Sequence, residues 1–194
     1  MEPLFVAGAW RCCRLTADDA PLLQRFFDDN PAYSLMVEGT PPTAHAAQET
    51  FDARPPAAWP YGDKWVLGFA EDDGDALVGM ADLLSNLFVD GVWHIGLFIV
   101  ATALHGQGVA RVLYEGLEAW MIERGAVFAR LGVVTGNTRA ERFWDRCGYH
   151  EVRRREGIPM GARVNDIRVM VKPLAEASIA DYLAQVPRDR LDSA

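Results

Sequence analysis

Apolar residues recur along this chain with two spacings, and each change of spacing marks an element. Residues 5–15, FVAGAWRCCRL, form an apolar run that reads as a first strand. Leu22, Leu23, Phe26 and Phe27 then share one face of a helix, with Thr16 as its N-cap and Asn30-Pro31 as its stop. Residues 31–63 are rich in proline and alanine and read as a loop, a short helix over about 43–51, and a second loop. An irregular stretch of that length in a compact domain is often functional, and here it would shape a substrate mouth.

From Lys64 the pattern becomes strand-like. KWVLGFAE, ALVGMADLLS and VWHIGLFIV are separated by DDGD and NLFVDG, both of turn chemistry, which predicts an antiparallel meander. Gly106 and Gly108 then open a segment in which Val109, Val112, Leu113, Leu117, Trp120 and Met121 recur at three and four. That is an amphipathic helix, stopped by Gly125. AVFARLGVV reads as a strand buried on both faces, and TRAERFWDRC as a short helix ended by Gly148. YHEVRRRE and DIRVMVKPL are two last strands, joined by a loop, GIPMGARVN, over 157–165. The predicted fold class is α/β of the α+β kind: a central mixed sheet, mostly antiparallel, around one βαβ unit, with helices on both faces. Residues 1–173 read as one domain and 174–194 as a C-terminal tail with a helix around 179–186.

Composition narrows the partners. With 194 residues, half of them apolar, the chain is long enough for one soluble domain with a sizeable core. A net charge of −8 argues against nucleic acid, whose phosphates need a basic patch. Acids such as Asp28, Asp29 and Glu38 could attract a cationic amine, and a solvated acidic surface explains them equally well. Cys12, Cys13 and Cys147 make neither a disulfide framework nor a zinc spacing, which points to a reducing cytoplasm. His45, His94, His105 and His150 are scattered, so no metal is expected. No basic region precedes a long apolar core at the start, and no apolar run approaches a membrane span, so neither a signal peptide nor a membrane partner is expected.

The glycine doublet carries the chemistry. A helix N-terminus leaves backbone N–H groups unpaired and partly positive, and Gly106 and Gly108 allow an anion to approach closely. LHGQGVARVL thus has the make-up of a phosphate cradle, although a strand-to-helix turn needs glycine for geometry alone just as often. A P-loop is excluded because Val109-Ala110 stand where Lys-Ser/Thr belong. A dinucleotide fingerprint is excluded too. Arg111 stands at its third glycine, and no acid occurs from Arg124 through Ala140.

The runs IGLFIVATALHGQGVARVLYEGLEAW and ARLGVVTGNTRAERFWDRCGYHEV resemble the GCN5-related N-acetyltransferases, the GNAT superfamily. His105-Gly106-Gln107-Gly108-Val109-Ala110 fits its Arg/Gln-x-x-Gly-x-Gly/Ala hallmark, with His105 in place of the usual Arg or Gln. Asn137, Ala140, Phe143-Trp144 and Gly148-Tyr149 fit a second hallmark. The resemblance implies the GNAT acyl-CoA N-acyltransferase fold and acetyl-CoA as acetyl donor. Its pantetheine would pair with the backbone of Phe98, Ile99 and Val100, and a bulge at Gly96 would splay that strand. Its pyrophosphate would lie on the N–H groups from Gly106 to Arg111, with Asn137 and Trp144 beside the pantetheine or acetyl group.

The implied activity is transfer of acetyl to a primary amine, of a small molecule before a protein, by direct attack in a ternary complex. The family's frequent glutamate base falls at His94, with Asp82 and Glu38 as alternatives, and an N–H such as that of Val100 would stabilise the oxyanion. Its usual tyrosine acid falls at Trp144, which has no proton to give, so Tyr149 or water would substitute. That departure leaves a second reading open, an acyl-CoA-binding module with little or no transfer. A third reading, an unrelated α/β domain with structural glycines, predicts no CoA binding. Homodimers are common in the family, and the sequence leaves that state open.

Overall fold

In the computed structural model, which describes residues 2–71, 74 and 76–191, eight strands form one sheet. They are β1 (Phe5–Ala7), β2 (Trp10–Arg14), β3 (Lys64–Glu71), β4 (Leu77–Leu84), β5 (Val92–Val100), β6 (Phe128–Val134), β7 (His150–Met160) and β8 (Arg163–Pro173). Their order across the sheet is β1-β2-β3-β4-β5-β6-β8-β7. Every neighbouring pair is antiparallel except β5 with β6, which run parallel. A parallel pair needs a long crossover, and the helix α4 (Val109–Glu123) supplies it. The other helices are α1 (Ala20–Asp29), α2 (Ala32–Val37), α3 (Ala46–Asp52), α5 (Thr138–Arg146) and α6 (Ile179–Gln185). The fold is the mixed, mostly antiparallel sheet with helices on both faces that the sequence predicts. Among the described residues no helix is long and apolar enough to cross a membrane.

Four segments differ from the sequence reading, each for a local reason. The first apolar run is two strands, because Gly8 at φ 62° turns the chain back into a hairpin. Thr16 caps a short 3₁₀ turn, Ala17–Asp19, before α1 begins: Asp19 accepts from the Thr16 N–H at 2.8 Å and from its hydroxyl at 3.0 Å. The loop after Pro31 opens with α2, since a proline that ends one helix has the φ to begin the next. GIPMGARVN is the tip of the β7–β8 hairpin, turning at Gly161 (φ 58°). Pro159 is tolerated there because β7 is an edge strand. Three of the four DDGD residues, Asp72, Asp73 and Asp75, lie outside the described residues.

Alternation along the strands sends side chains to the two faces of the sheet, one with a single core and the other with two. Ala81, Leu83, Trp93, Ile95, Ala129 and Leu131 face α4, packing on Leu113, Leu117, Trp120 and Met121. On the other face Val66, Met80 and Ile99 lie under α1 and α3. Val92, Phe128, Val169 and Val171 lie under α6, with Tyr182 fully buried among them. Between these two coverings Gly96 and Gly132 are exposed. The sheet is bare there.

Candidate functional site

The site is built by a parting of strands. β5 and β6 pair only from Val92↔Phe128 to Ile95↔Leu131, and past that point each continues without the other. The cause sits at Gly96. On the β4 side the register shifts between Asp82 and Leu83, which pair with Leu97 and Ile95, so Gly96 is the extra residue of a bulge. Ala101 donates its N–H to the Val78 carbonyl at 2.8 Å, which turns the backbone of Ile99 toward β4. Alternate residues present backbone to alternate sides, so Phe98 and Val100 present theirs to the gap. Of the predicted trio, Ile99 contributes no backbone edge.

A cleft of ≈ 930 Å³ opens at this gap. Its walls include Phe98, Ile99, Val100, His105, Gly106, Gly108, Ala110, Arg111, Asn137 and Trp144. Gly106 and Gly108 both take left-handed backbone, φ 79° and 81°, and a Cβ at either would meet no protein atom within 4 Å. The glycines are therefore needed for conformation, and their open side is the cleft. Gly108 is the N-cap of α4, and the N–H groups of Gly106, Gly108, Val109 and Ala110 have no acceptor among the described residues. Four donors and a helix dipole point at one spot. Side chains of Gln107 and Val109 turn elsewhere: Gln107 bonds the Ala103 carbonyl at 2.7 Å and Val109 is buried in the core.

Three arginines rim that spot in a chain whose net charge is −8. Arg111 pairs with Glu115 at 2.5 Å and bonds the Arg146 carbonyl at 3.0 Å. Arg139 and Arg146 lie on α5, and sequence reasoning missed both. Their signal was a spacing of seven after the Asn137 cap, which puts them on one helix face. Asn137 does cap α5, accepting from the Ala140 N–H at 3.3 Å, and its residue also lines the cleft. His105 donates from Nε2 to the Val100 carbonyl at 2.9 Å, and Arg139 donates to its Nδ1. That pairing closes the Val100 carbonyl and leaves its N–H free.

The far wall is apolar and aromatic. Phe98 stacks on Phe143 at 6.0 Å and Trp144 packs on Phe98 at 5.8 Å and on Tyr149 at 5.2 Å. Tyr149 lies behind Trp144, outside the cleft, where it accepts a hydrogen bond from the Tyr114 hydroxyl at 3.1 Å. Burial pushes its phenol far above the usual value, so it holds its proton too tightly to act as an acid. Tyr33, on α2, is the phenol that does line the cleft, raised to about 12 by burial and by Glu38. Asn30 sets that side, accepting from the Thr102 N–H at 2.7 Å while donating to the Phe26 carbonyl at 2.9 Å.

His94 is not brought to the cleft. Its ring points to the opposite face, with Nδ1 3.1 Å from the Arg130 carbonyl and 3.3 Å from the Arg130 guanidinium. Burial and that positive neighbour lower its pKa to about 3, which leaves it a weak base. Asp82 is closer to the parting. One oxygen takes Lys64 at 2.7 Å, and the other, Oδ1, is buried without a partner. A Cβ on Gly96 would stand 3.8 Å from Asp82 Oδ2. Burial raises the Asp82 carboxyl despite Lys64. Glu38 is raised too, by burial and by Glu49, while Asp28 and Asp29 are exposed on α1. No carboxylate lines the cleft itself, and among the described residues no three His, Cys, Asp or Glu side chains form a metal site.

Comparison with known proteins adds the following. A sequence profile described as "Acetyltransferase (GNAT) family" matches residues 23–149. An acetyltransferase from Thermus thermophilus is similar in structure, with a TM-score of 0.65 at 20% identity, covering 85% of this chain and 97% of its own. A spermidine N-acetyltransferase from Vibrio cholerae, solved with CoA and spermine, gives 0.66 at 14% identity, over 91% and 99%. The ribosomal-protein-S18-alanine N-acetyltransferase from Escherichia coli gives 0.61 at 16% identity, over 88% and 97%. At such identities the likeness to these structures is one of fold. No curated protein sequence matches the chain.

Proposed function

The chain belongs to the acetyltransferase (GNAT) family, and on that premise we propose that it transfers the acetyl group of acetyl-CoA to a primary amine of a small molecule, by direct attack in a ternary complex. One observation carries the reading: the parted strand and the glycine turn open onto the same cleft. The residues fit such a donor. The N–H groups of Gly106, Gly108, Val109 and Ala110 would hold a pyrophosphate, and Arg111, Arg139 and Arg146 would balance its charge. Phe98 would pair with the amides of a pantetheine arm as a neighbouring strand would. Asn137 and Trp144 would border the acetyl end. The donor supplies an acetyl thioester whose thiol ionises at a pKa of about 8.5.

The rest is work for this chain's side chains. An amine arrives as an ammonium of pKa about 10, so a base must take its proton. Asp82 suits that role in place of His94, with its raised carboxyl and with Oδ2, the oxygen that Lys64 holds, beside the Gly96 bulge. The free N–H of Val100 would face the developing oxyanion. Tyr33 at about 12 stays protonated against a thiolate near 8.5, so it would donate a hydrogen bond without surrendering its proton.

A second reading, an acyl-CoA-binding module with little turnover, is favoured by the lack of any carboxylate among the cleft's lining residues. Thiol release from acetyl-CoA with a panel of amines separates the two, with acetyl-CoA affinity measured alongside by calorimetry. Turnover that Asp82→Asn lowers by about 100-fold at unchanged affinity supports the transferase. Micromolar binding without turnover leaves the module. No binding sinks both.

A further inference from the structure

On the sheet face away from α4, four arginines surround one carboxylate. Arg130 on β6 takes Asp189 in two bonds, 2.7 and 3.2 Å, and Asp189 also accepts from the Tyr182 hydroxyl at 2.6 Å. Arg153 on β7 donates to the Arg188 carbonyl. Arg155, also on β7, and Arg188, in the turn after α6, have no ion pair among the described residues, and the Nε of each is buried without a partner. Both guanidinium groups lie on aromatic rings instead. Arg188 sits 4.0 Å over Trp59 and 4.5 Å over Phe88, and Arg155 5.6 Å over Trp59. A ring covers the flat face of a guanidinium and leaves its N–H edge open, and that edge fits a planar oxyanion.

Two further observations point to a ligand there. Phe88 holds φ 72°, a left-handed backbone that a bulky residue keeps only when its surroundings fix it, and its N–H is tied to the Pro60 carbonyl at 2.8 Å. The loop is thus set to present its ring under Arg188. The cluster also borders the bare strip of sheet. Arg155 pairs with Ile167, whose Cγ2 lies 3.1 Å from where a Gly132 Cβ would stand, and Gly132 is exposed next to the parting of β5 and β6. Asp82 lies on the other side of that parting. Burial, with the neighbouring positive charges, lowers the pKa of both Arg155 and Arg188, and the one carboxylate near them, Asp189, offsets this only in part.

We propose that Arg155 and Arg188 bind an anionic group of the acyl acceptor, so that the acceptor is an amine bearing a carboxylate or a phosphoryl group. The proposal rests on the transferase reading above. The acids Asp28, Asp29 and Glu38 do not line the cleft, so they do not stand against an anionic acceptor. Four strand spacings separate β4, which carries Asp82, from β7, which carries Arg155, roughly 20 Å from backbone to backbone, so amine and anion are held apart by a long spacer.

The test follows thiol release from acetyl-CoA with ω-amino carboxylates of increasing length, their primary amides, and the matching aminoalkyl phosphates. One anionic series should exceed its neutral partner in kcat/KM by about 10-fold or more, and the series that wins names the anion. Arg155→Gln and Arg188→Gln should each abolish that preference through KM, leaving the amide rate as in the wild type, and Arg155→Lys should restore part of it. Equal rates for acid and amide in the wild type, or a preference that survives in both variants, overturn the proposal. If acetyl-CoA binds and no amine is acetylated, the transferase reading has failed. Inorganic phosphate titrated into the acetyl-CoA-saturated protein then decides the anion site by itself. Binding that Arg188→Gln removes supports it, and no binding to the wild type overturns it.

Discussion

The molecule has two places fit for an anion, and they are made of different material. At the glycine turn the donors are backbone N–H groups fixed by φ at Gly106 and Gly108. The arginines there are accessory: Arg111 is half exposed and already paired with Glu115 at 2.5 Å. On the opposite face the donors are the side chains of Arg155 and Arg188, held in place by residues 59, 88, 130 and 189. Backbone donors survive the loss of any neighbouring side chain. A side-chain cluster around one carboxylate does not, because each member holds the others' charge in check.

Substitutions at either place test that contrast. Asp189→Ala should have the largest effect, lowering unfolding free energy by about 3–5 kcal/mol in urea melts because Arg130 is left buried and unpaired. A loss below about 1 kcal/mol would mean that aromatic rings alone sustain the cluster. Gly108→Val should follow, weakening acetyl-CoA binding by about 100-fold in calorimetry because a branched residue cannot hold φ 81° at the N-cap. Unchanged affinity there would remove the backbone from the anion site.

The pH dependence comes third. His94 is neutral in the fold down to about 3, whereas an unfolded histidine takes its proton near 6.5, so protons favour the unfolded chain between those values. Stability contributed by His94 is complete above about 6.5 and is lost as pH falls toward 3, and His94→Gln should flatten that part of the slope. The smallest effect belongs to the exposed rim. Arg111→Gln should cost acetyl-CoA affinity only about 2–5-fold, the worth of a screened surface charge.

The same contrast explains what could be read ahead of the structure. The meander, α4 and the glycine turn are written locally, in apolar spacing and in residues that only one backbone geometry suits. The bulge at Gly96 is of that kind as well. α2 was hidden because Pro31 announces a stop and conceals a start, and the β7–β8 tip was hidden because Pro159 looks like a breaker anywhere but on an edge strand. His94 misled for a different reason. Its place along β5 is legible, but its environment is set by Arg130 on another strand and by Asp189 beyond α6. Arg155 and Arg188 were illegible for the same cause, since no spacing in the sequence links Trp59 to either.

The pairing of Arg130 with Asp189 also has a consequence in time. A growing chain emerges from the ribosome in order, and Arg130 emerges 59 residues ahead of the carboxylate that neutralises it. Through that interval β6 carries a bare cation on the face that α6 will cover, and the nascent sheet can settle its α4 side but not its reverse. Arrival of Tyr182 and Asp189 is then the event that closes this face of the sheet. A chain halted before Asp189 leaves Arg130 exposed to water, marked as unfinished by its own charge.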